Sequence, residues 1–176
     1  MYTQILETDE VTSQNRIRFA LLSLMEEHPY SEISVSQICQ AAQVSRQTFY
    51  RLFDTKDDVL ILYLHEIMKE YLLPKVLFDT QCAPELLQFF LFFSGYKHLL
   101  ELLYRSDKMY LLLHILIKYR NAFINEPIFR IAHGHDYATE FVASTLCSGL
   151  TVWAKMEFKT SCSTLAAYTS QFLKCI

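Results

Sequence analysis

The apolar positions of this chain recur at helical spacing almost from end to end. Ile17, Ala20, Leu21 and Leu24 mark one face of a helix expected over about 12–28, and Pro29-Tyr30-Ser31 stops it. Val35, Ile38 and Ala42 form the face of a second helix, which Ser34 or Ser36 can start. Phe49, Leu52 and Phe53 supply a third apolar face after a corner at Gln43-Val44-Ser45. Thr55 is the expected N-cap of a fourth helix, with Asp57 and Asp58 in its first turn, where the macrodipole favours acids. Val59, Leu60, Tyr63, Leu64, Ile67 and Tyr71 carry that helix to about Leu73, and Pro74 ends it. Further helices are expected over 85–93 behind Pro84, over 96–104 after Gly95, from a Ser106-Asp107 cap to about Ile124, over 137–155, and over 162–174 with a cap among residues 161–164. Pro127 and His133-Gly134-His135 mark a break. No strand-like alternation persists, so the fold reads as all-α.

The stretch 35–53, VSQICQAAQVSRQTFYRLF, carries the most chemistry. It reads as two short helices joined by a tight corner, with Ser45 capping the second. The first turn of that second helix holds Arg46, Gln47 and Thr48, and Tyr50 follows. Arg can pair bidentately with guanine, Gln with adenine, and a Thr methyl can touch thymine in a major groove. These residue types on one exposed helix imply DNA binding.

Ile17, Ala20, Leu21, Ile38, Ala41, Val44-Ser45, Thr48-Phe49-Tyr50, Phe53, Lys56 and Leu60 resemble, in order, the DNA-binding head of the TetR family of bacterial transcriptional regulators. The family pattern is roughly A-G-V-S-x-x-T-x-Y-x-x-F-x-x-K. The chain departs from it at Gln43, where a turn Gly is usual because a left-handed conformation costs Gly nothing. Leu52 stands where an aromatic or His is common. The resemblance implies an all-α fold with an N-terminal three-helix helix-turn-helix head and a C-terminal helical ligand and dimerisation body. It divides the chain into a flexible arm (1–11), the head (12–55) and the body (56–176). It implies a homodimer on a palindromic double-stranded DNA operator, acting as a repressor that a small ligand releases. Arg46 and Gln47 become the base-edge readers, and Ser36, Ser45, Thr48, Tyr50 and Lys56 the phosphate contacts. The helix beginning at Lys56 would link head to body and set the spacing of the two heads.

Composition agrees with a helical protein. The 176 residues are 52% hydrophobic and 14% aromatic, with Gly only at 95, 134 and 149 and four Pro. Charge makes a more demanding test. Residues 1–60 hold five Lys/Arg against nine Asp/Glu. All five bases nonetheless sit where the family's DNA face lies: Arg16, Arg18, Arg46, Arg51 and Lys56. A local positive stripe on an acidic protein predicts weak non-specific binding and reliance on the correct operator. The first eleven residues carry three acids and no base, which suits a frayed arm and not a signal peptide. The most apolar run, 86–93, interrupted by Gln88, is too short to span a bilayer. A cytoplasmic protein with no membrane partner is expected. Five scattered cysteines (39, 82, 147, 162 and 175) without a C-x-x-C pair read as reduced thiols in the core. Cys162 and Cys175 would be the first candidates for a thiol sensor.

No GxGxxG, P-loop, GxSxG or HExxH motif is present, so neither an enzyme nor a cofactor is expected. His133-x-His135-Asp136 has no third distant ligand and reads as a loop and helix start, so no metal is expected. The middle helices are rich in Phe and Tyr. By the family resemblance they would enclose a cavity for a small apolar ligand, with His65, Phe93, His98, Tyr104 and His114 lining it. The last two helices resemble the family's dimerisation pair through Phe141, Thr145, Gly149 and Trp153, followed by Leu165 and Phe172. A reading from another class remains: a protein-interaction adaptor, or an activator of the same fold, controlled by a protein effector. The acidic head and Gln43 favour it.

Overall fold

The computed structural model describes residues 2–72, 85–119 and 136–174, and within them every regular element is helical. The expected elements at Pro74 and Pro84, the stretch to Ile124, Pro127, and His133 to His135 lie outside the described residues, as do Cys82 and Cys175. Two compact units are present, 1–64 and 65–176. The division falls within the fourth helix, and Val59, Leu60 and Leu64, which precede it, are buried.

The first unit begins with α1 (Tyr2–Glu27). It starts ten residues before the expected Thr12, so the segment anticipated as a flexible arm is helical. Residues 2–11 contain neither Gly nor Pro, and extending a helix already nucleated costs far less than starting one. A 3-10 turn, Tyr30–Glu32, follows Pro29. Then come α2 (Val35–Ala42), α3 (Arg46–Leu52) and the start of α4 (Lys56–Leu72). Ser34 rather than Ser36 starts α2, through a capping box in which the Ser34 side chain accepts from Gln37 N–H and the Gln37 amide oxygen accepts from Ser34 N–H. Thr55 opens α4 with the same device, Asp58 serving as the reciprocal acceptor.

The core of this unit is built from the stripes visible in the sequence: Ile17 and Leu21 of α1, Ile38 of α2, Phe49 of α3 and Leu60 of α4 are almost fully buried. Each such side chain stabilises by roughly 1.5–3 kcal/mol relative to exposure. That is how a seven-residue helix such as α3 persists, although it is far below the length at which an isolated helix is stable.

The second unit holds the end of α4, then α5 (Glu85–Ser94), α6 (Lys97–Arg105), α7 (Met109–Lys118), α8 (Asp136–Lys155) and α9 (Cys162–Lys174). α8 packs against α6, α7 and α9, and α5 packs against α9. The expected Ser106-Asp107 cap of α7 does not form. Ser106 instead closes α6, Asp107 turns the chain at φ 55°, and Lys108 precedes α7 without a side-chain cap. Ser161 does cap α9, accepting from Thr164 N–H at 3.1 Å.

Phe89, Phe90, Phe93 and Trp153 form the aromatic heart of this unit. The Trp153 indole N–H, which would be costly to bury unpaired, donates to the Thr160 carbonyl at 2.8 Å. Just beyond α8, Glu157 and Phe158 both take positive φ. Phe158 offsets that strain by setting its ring edge-on to Trp153, 5.2 Å between centroids.

Candidate nucleic-acid interface

The corner between α2 and α3 decides how α3 is presented. Gln43 adopts the left-handed conformation (φ 52°, ψ 45°) at the end of α2. Its position therefore demands what Gly provides freely, as the family pattern predicts. Val44 N–H closes the corner onto the Cys39 carbonyl at 3.0 Å. From outside, the Arg16 guanidinium donates to the Gln43 carbonyl at 2.7 Å.

α3 then starts on Ser45, whose hydroxyl accepts from Thr48 N–H at 2.9 Å and also pairs with the Thr48 hydroxyl. Phe49 is buried and stacks obliquely on Phe53. That inward face fixes the outward one: Arg46, Gln47, Tyr50 and Arg51 are exposed. Tyr50 is half exposed, its ring edge-on to Phe49 at 5.6 Å, which stiffens the aromatic that carries the hydroxyl.

The seven expected DNA contacts thus divide into two groups. Arg46, Gln47 and Tyr50 project together from α3, and Ser36 is exposed in the first turn of α2. Ser45 and Thr48 spend their hydroxyls on capping and on each other. Lys56 is turned inward onto the carbonyls of Tyr30 and Ile33. The other bases of the expected stripe divide similarly. Arg16 holds Gln43, while Arg18 bonds Asn15 at 2.6 Å and lies over the Tyr63 ring at 4.5 Å. Sequence reasoning missed these roles because, apart from Asn15, the partners are main-chain carbonyls and ring faces, which no residue pattern announces.

In the second unit the expected ligand residues do not share one environment. Phe93 belongs to the aromatic core, Tyr104 is half-buried, and His98 and His114 are exposed. His114 sits edge-on to Tyr110. His65 is the best built of the five: its Nδ1 meets the Tyr119 hydroxyl and its Nε2 the Lys118 ammonium, each at 3.2 Å. An ammonium can only donate, so Nε2 accepts and the neutral tautomer carries its proton on Nδ1. Burial, then the charges of Lys118 and Lys69, hold the imidazole below its ordinary pKa near 6.5. Tyr119 and Lys118 are the partners that sequence reasoning did not pair with it.

The expected dimer residues also separate. Trp153 is 2% exposed and Leu165 7%, so both pack inside the subunit. Gly149 admits the Phe90 ring of its own subunit: a Cβ there would lie 3.1 Å from the Phe90 ring carbon Cζ. The Thr145 hydroxyl bonds back to the Phe141 carbonyl. Phe141 and Phe172, at 59% and 71% exposure, are the two that face outward. These helices carry two apolar faces, and in a single chain the more closely packed face is the internal one. The thiols follow the core reading in part. Cys39 and Cys147 are buried and Cys162 is partly so. Burial pushes the Cys147 thiol up to about 11.

A short helix capped by Ser45, reached through a left-handed corner and presenting Arg, Gln and Tyr to solvent, has the geometry of the second helix of a helix-turn-helix head. Residues 18–62 match the family model of bacterial regulatory proteins, tetR family. The match lies in the head and covers about a quarter of the chain, which is similar there to the regulators of that family. The chain is 40% identical over 50 residues to the HTH-type dhaKLM operon transcriptional activator DhaS of Lactococcus lactis subsp. lactis (strain IL1403), a match covering 28% of this chain and 27% of the relative. The match thus spans about a quarter of that relative's length. Among solved structures, a TetR transcriptional regulator from Streptococcus agalactiae 2603V superposes with a TM-score of 0.65 at 20% identity, covering 97% of this chain and 98% of that one. A dihydroxyacetone kinase operon activator DhaS gives 0.57 at 22% identity, covering 93% and 94%. These two likenesses extend the fold agreement beyond the head to the whole chain. Among the described residues no helix is long and apolar enough to cross a membrane, and no group of three or more His, Cys, Asp or Glu could hold a metal ion.

Proposed function

We propose that this protein is a homodimeric, sequence-specific transcriptional regulator whose α3 enters the major groove of a palindromic operator. One observation carries the reading: Arg46, Gln47 and Tyr50 project together from a helix whose start is capped by Ser45 and whose approach is pinned by Arg16. In this reading Arg46 and Gln47 read base edges, while Tyr50 and Ser36 hold phosphates. Two heads about one helical turn apart, roughly 34–36 Å, require a two-fold symmetric site.

Dimerisation through the last two helices is supported by their outward faces. Phe141 and Val152 on α8, and Tyr168 and Phe172 on α9, are large, apolar and more than half exposed. They recur at helical spacing, so two copies could bury them in a symmetric four-helix interface. Control would act through α4, which begins in the first unit and ends in the second. An effector that favours one head spacing changes operator affinity by its differential affinity for the two states, and by no more.

For the direction of control, repression is the default reading: a bound regulator blocks transcription until a ligand releases it. Activation is the second reading, favoured by the relatives whose names describe operon activators. Binding the protein to a random duplex library and sequencing the retained DNA tests the core of the proposal. Enrichment of a palindrome is the expected result. A folded dimer that enriches nothing at low salt would move the reading to a protein-interaction adaptor.

A further inference from the structure

Lys56 stands where the family pattern ends in Lys, yet its ammonium points into the head. Nζ donates to the Ile33 carbonyl at 2.7 Å and to the Tyr30 carbonyl, and it lies 4.3 Å from the centroid of the Tyr30 ring. Asp57, the next residue, accepts a hydrogen bond from the Tyr30 hydroxyl. Two consecutive residues at the start of α4 therefore grip Tyr30 at both ends, main-chain carbonyl and phenol, with its ring buried between them. The carbonyls are those of a single 3-10 turn and of the residue just before Ser34, the cap of α2. The Tyr30 carbonyl also accepts from Ile33 N–H at 3.3 Å, so the ammonium uses its second acceptor site. An ammonium offers three donors and no acceptor, and two carbonyls and a ring face match it.

We infer that Lys56 is a positioning residue: it ties the entry of α2 to the entry of α4 and does not bind operator phosphate. The entry and the corner of the helix-turn-helix are then each held by a cation on main-chain carbonyls, Lys56 before α2 and Arg16 at the α2–α3 corner. The consequence is electrostatic. A side chain that neutralises a phosphate releases counter-ions and steepens the dependence of log K on log salt by about 0.9. A Lys committed to carbonyls contributes nothing to that slope. The inference rests on the DNA-binding reading for this arm of its test only.

The experiment compares wild type, Lys56→Met and Lys56→Arg. Met keeps the apolar stem without donors. Arg keeps the charge but replaces a compact ammonium with a wide planar fork. Each protein is melted alone, then titrated over a salt series with the duplex selected from the random library. The expected result is a lowered melting midpoint for both variants, weaker binding to every duplex, and a salt slope equal to that of wild type. A Lys56→Met protein that melts like wild type, with a slope shallower by about 0.9 per subunit and restored in Lys56→Arg, would overturn the inference. Should Lys56→Met fail to fold, the wild-type ammonium is read directly by NMR. Slow proton exchange at Nζ that survives DNA addition supports the clamp, and a through-bond coupling from Nζ to an operator phosphorus sinks it. If wild type binds no duplex at low salt, the DNA reading fails by itself, and the melting midpoints and ammonium exchange still decide the clamp.

Discussion

Arg16 on α1 donates a 2.7 Å hydrogen bond to the carbonyl of Gln43, the residue at φ 52° that turns the chain from α2 toward α3. A strained corner and the side chain that holds it are thus 27 residues apart in sequence. The left-handed conformation costs a non-Gly residue roughly 1–2 kcal/mol. The strap from Arg16 offsets part of this and leaves the strain in place.

Gln43→Gly should therefore stabilise the head. The relief of strain exceeds the extra backbone entropy that Gly loses on folding, roughly 0.5–1 kcal/mol, so a net gain of about 0.5–1 kcal/mol is expected. Urea denaturation, with hydrogen exchange at the α3 amides to isolate the head, measures it. A variant less stable than wild type would show that the Gln43 side chain contributes more than its strain removes.

Gly149 allows α8 to approach the Phe90 ring, with the Cζ atom only 3.1 Å from where a Cβ would stand. Gly149→Val should overpack this contact and cost about 1–3 kcal/mol. Shrinking the ring in Gly149→Val/Phe90→Leu should recover part of that loss, a coupling that a double-mutant cycle reads out. Additive effects of the two changes would mean that the steric contact is not what Gly149 serves.

The outward and inward faces of the last two helices should separate by mutation. Phe141→Glu with Phe172→Glu should leave helicity intact and shift sedimentation from dimer to monomer. Trp153→Ala empties a core site, also strands the Thr160 carbonyl, and should cost about 3–5 kcal/mol. A charged pair at 141 and 172 that remains a dimer would move the interface elsewhere.

His65 gives the second unit a pH dependence of known sign. Its native pKa lies below the ordinary value near 6.5, through burial and the charges of Lys118 and Lys69. The unfolded chain therefore takes up the proton first as pH falls. Its stabilising effect is complete above about pH 6.5, declines below that value, and is exhausted once the native imidazole is also protonated. Melting of wild type against His65→Gln between pH 7.5 and 5, about two units around the ordinary value, should show a slope that the variant lacks. Parallel curves would place the dependence on another group.

Much of this was legible in the chain. Helical spacing of Ile17, Leu21, Ile38, Phe49 and Leu60 fixes which face of each helix is buried, because a helix with one apolar stripe has one way to hide it. Ser45 and Thr55 announce their helices because a cap acts within three residues of itself. Gln43 could be read as strained from a single missing Gly, since the corner conformation is a local matter.

The tertiary structure alone decided the destinations of the long basic side chains and the inner faces of doubly apolar helices. Arg16, Arg18 and Lys56 read as one positive stripe in sequence. Folded, they reach a carbonyl, a tyrosine ring and a 3-10 turn, because their partners come from 23 to 45 residues away and some are main-chain atoms that every residue possesses. Trp153 and Leu165 read as interface residues until their own subunit's core claimed them. Short-range rules of propensity and capping are written in residue types. Long-range partnership depends on which surfaces meet, and a single sequence does not spell that out.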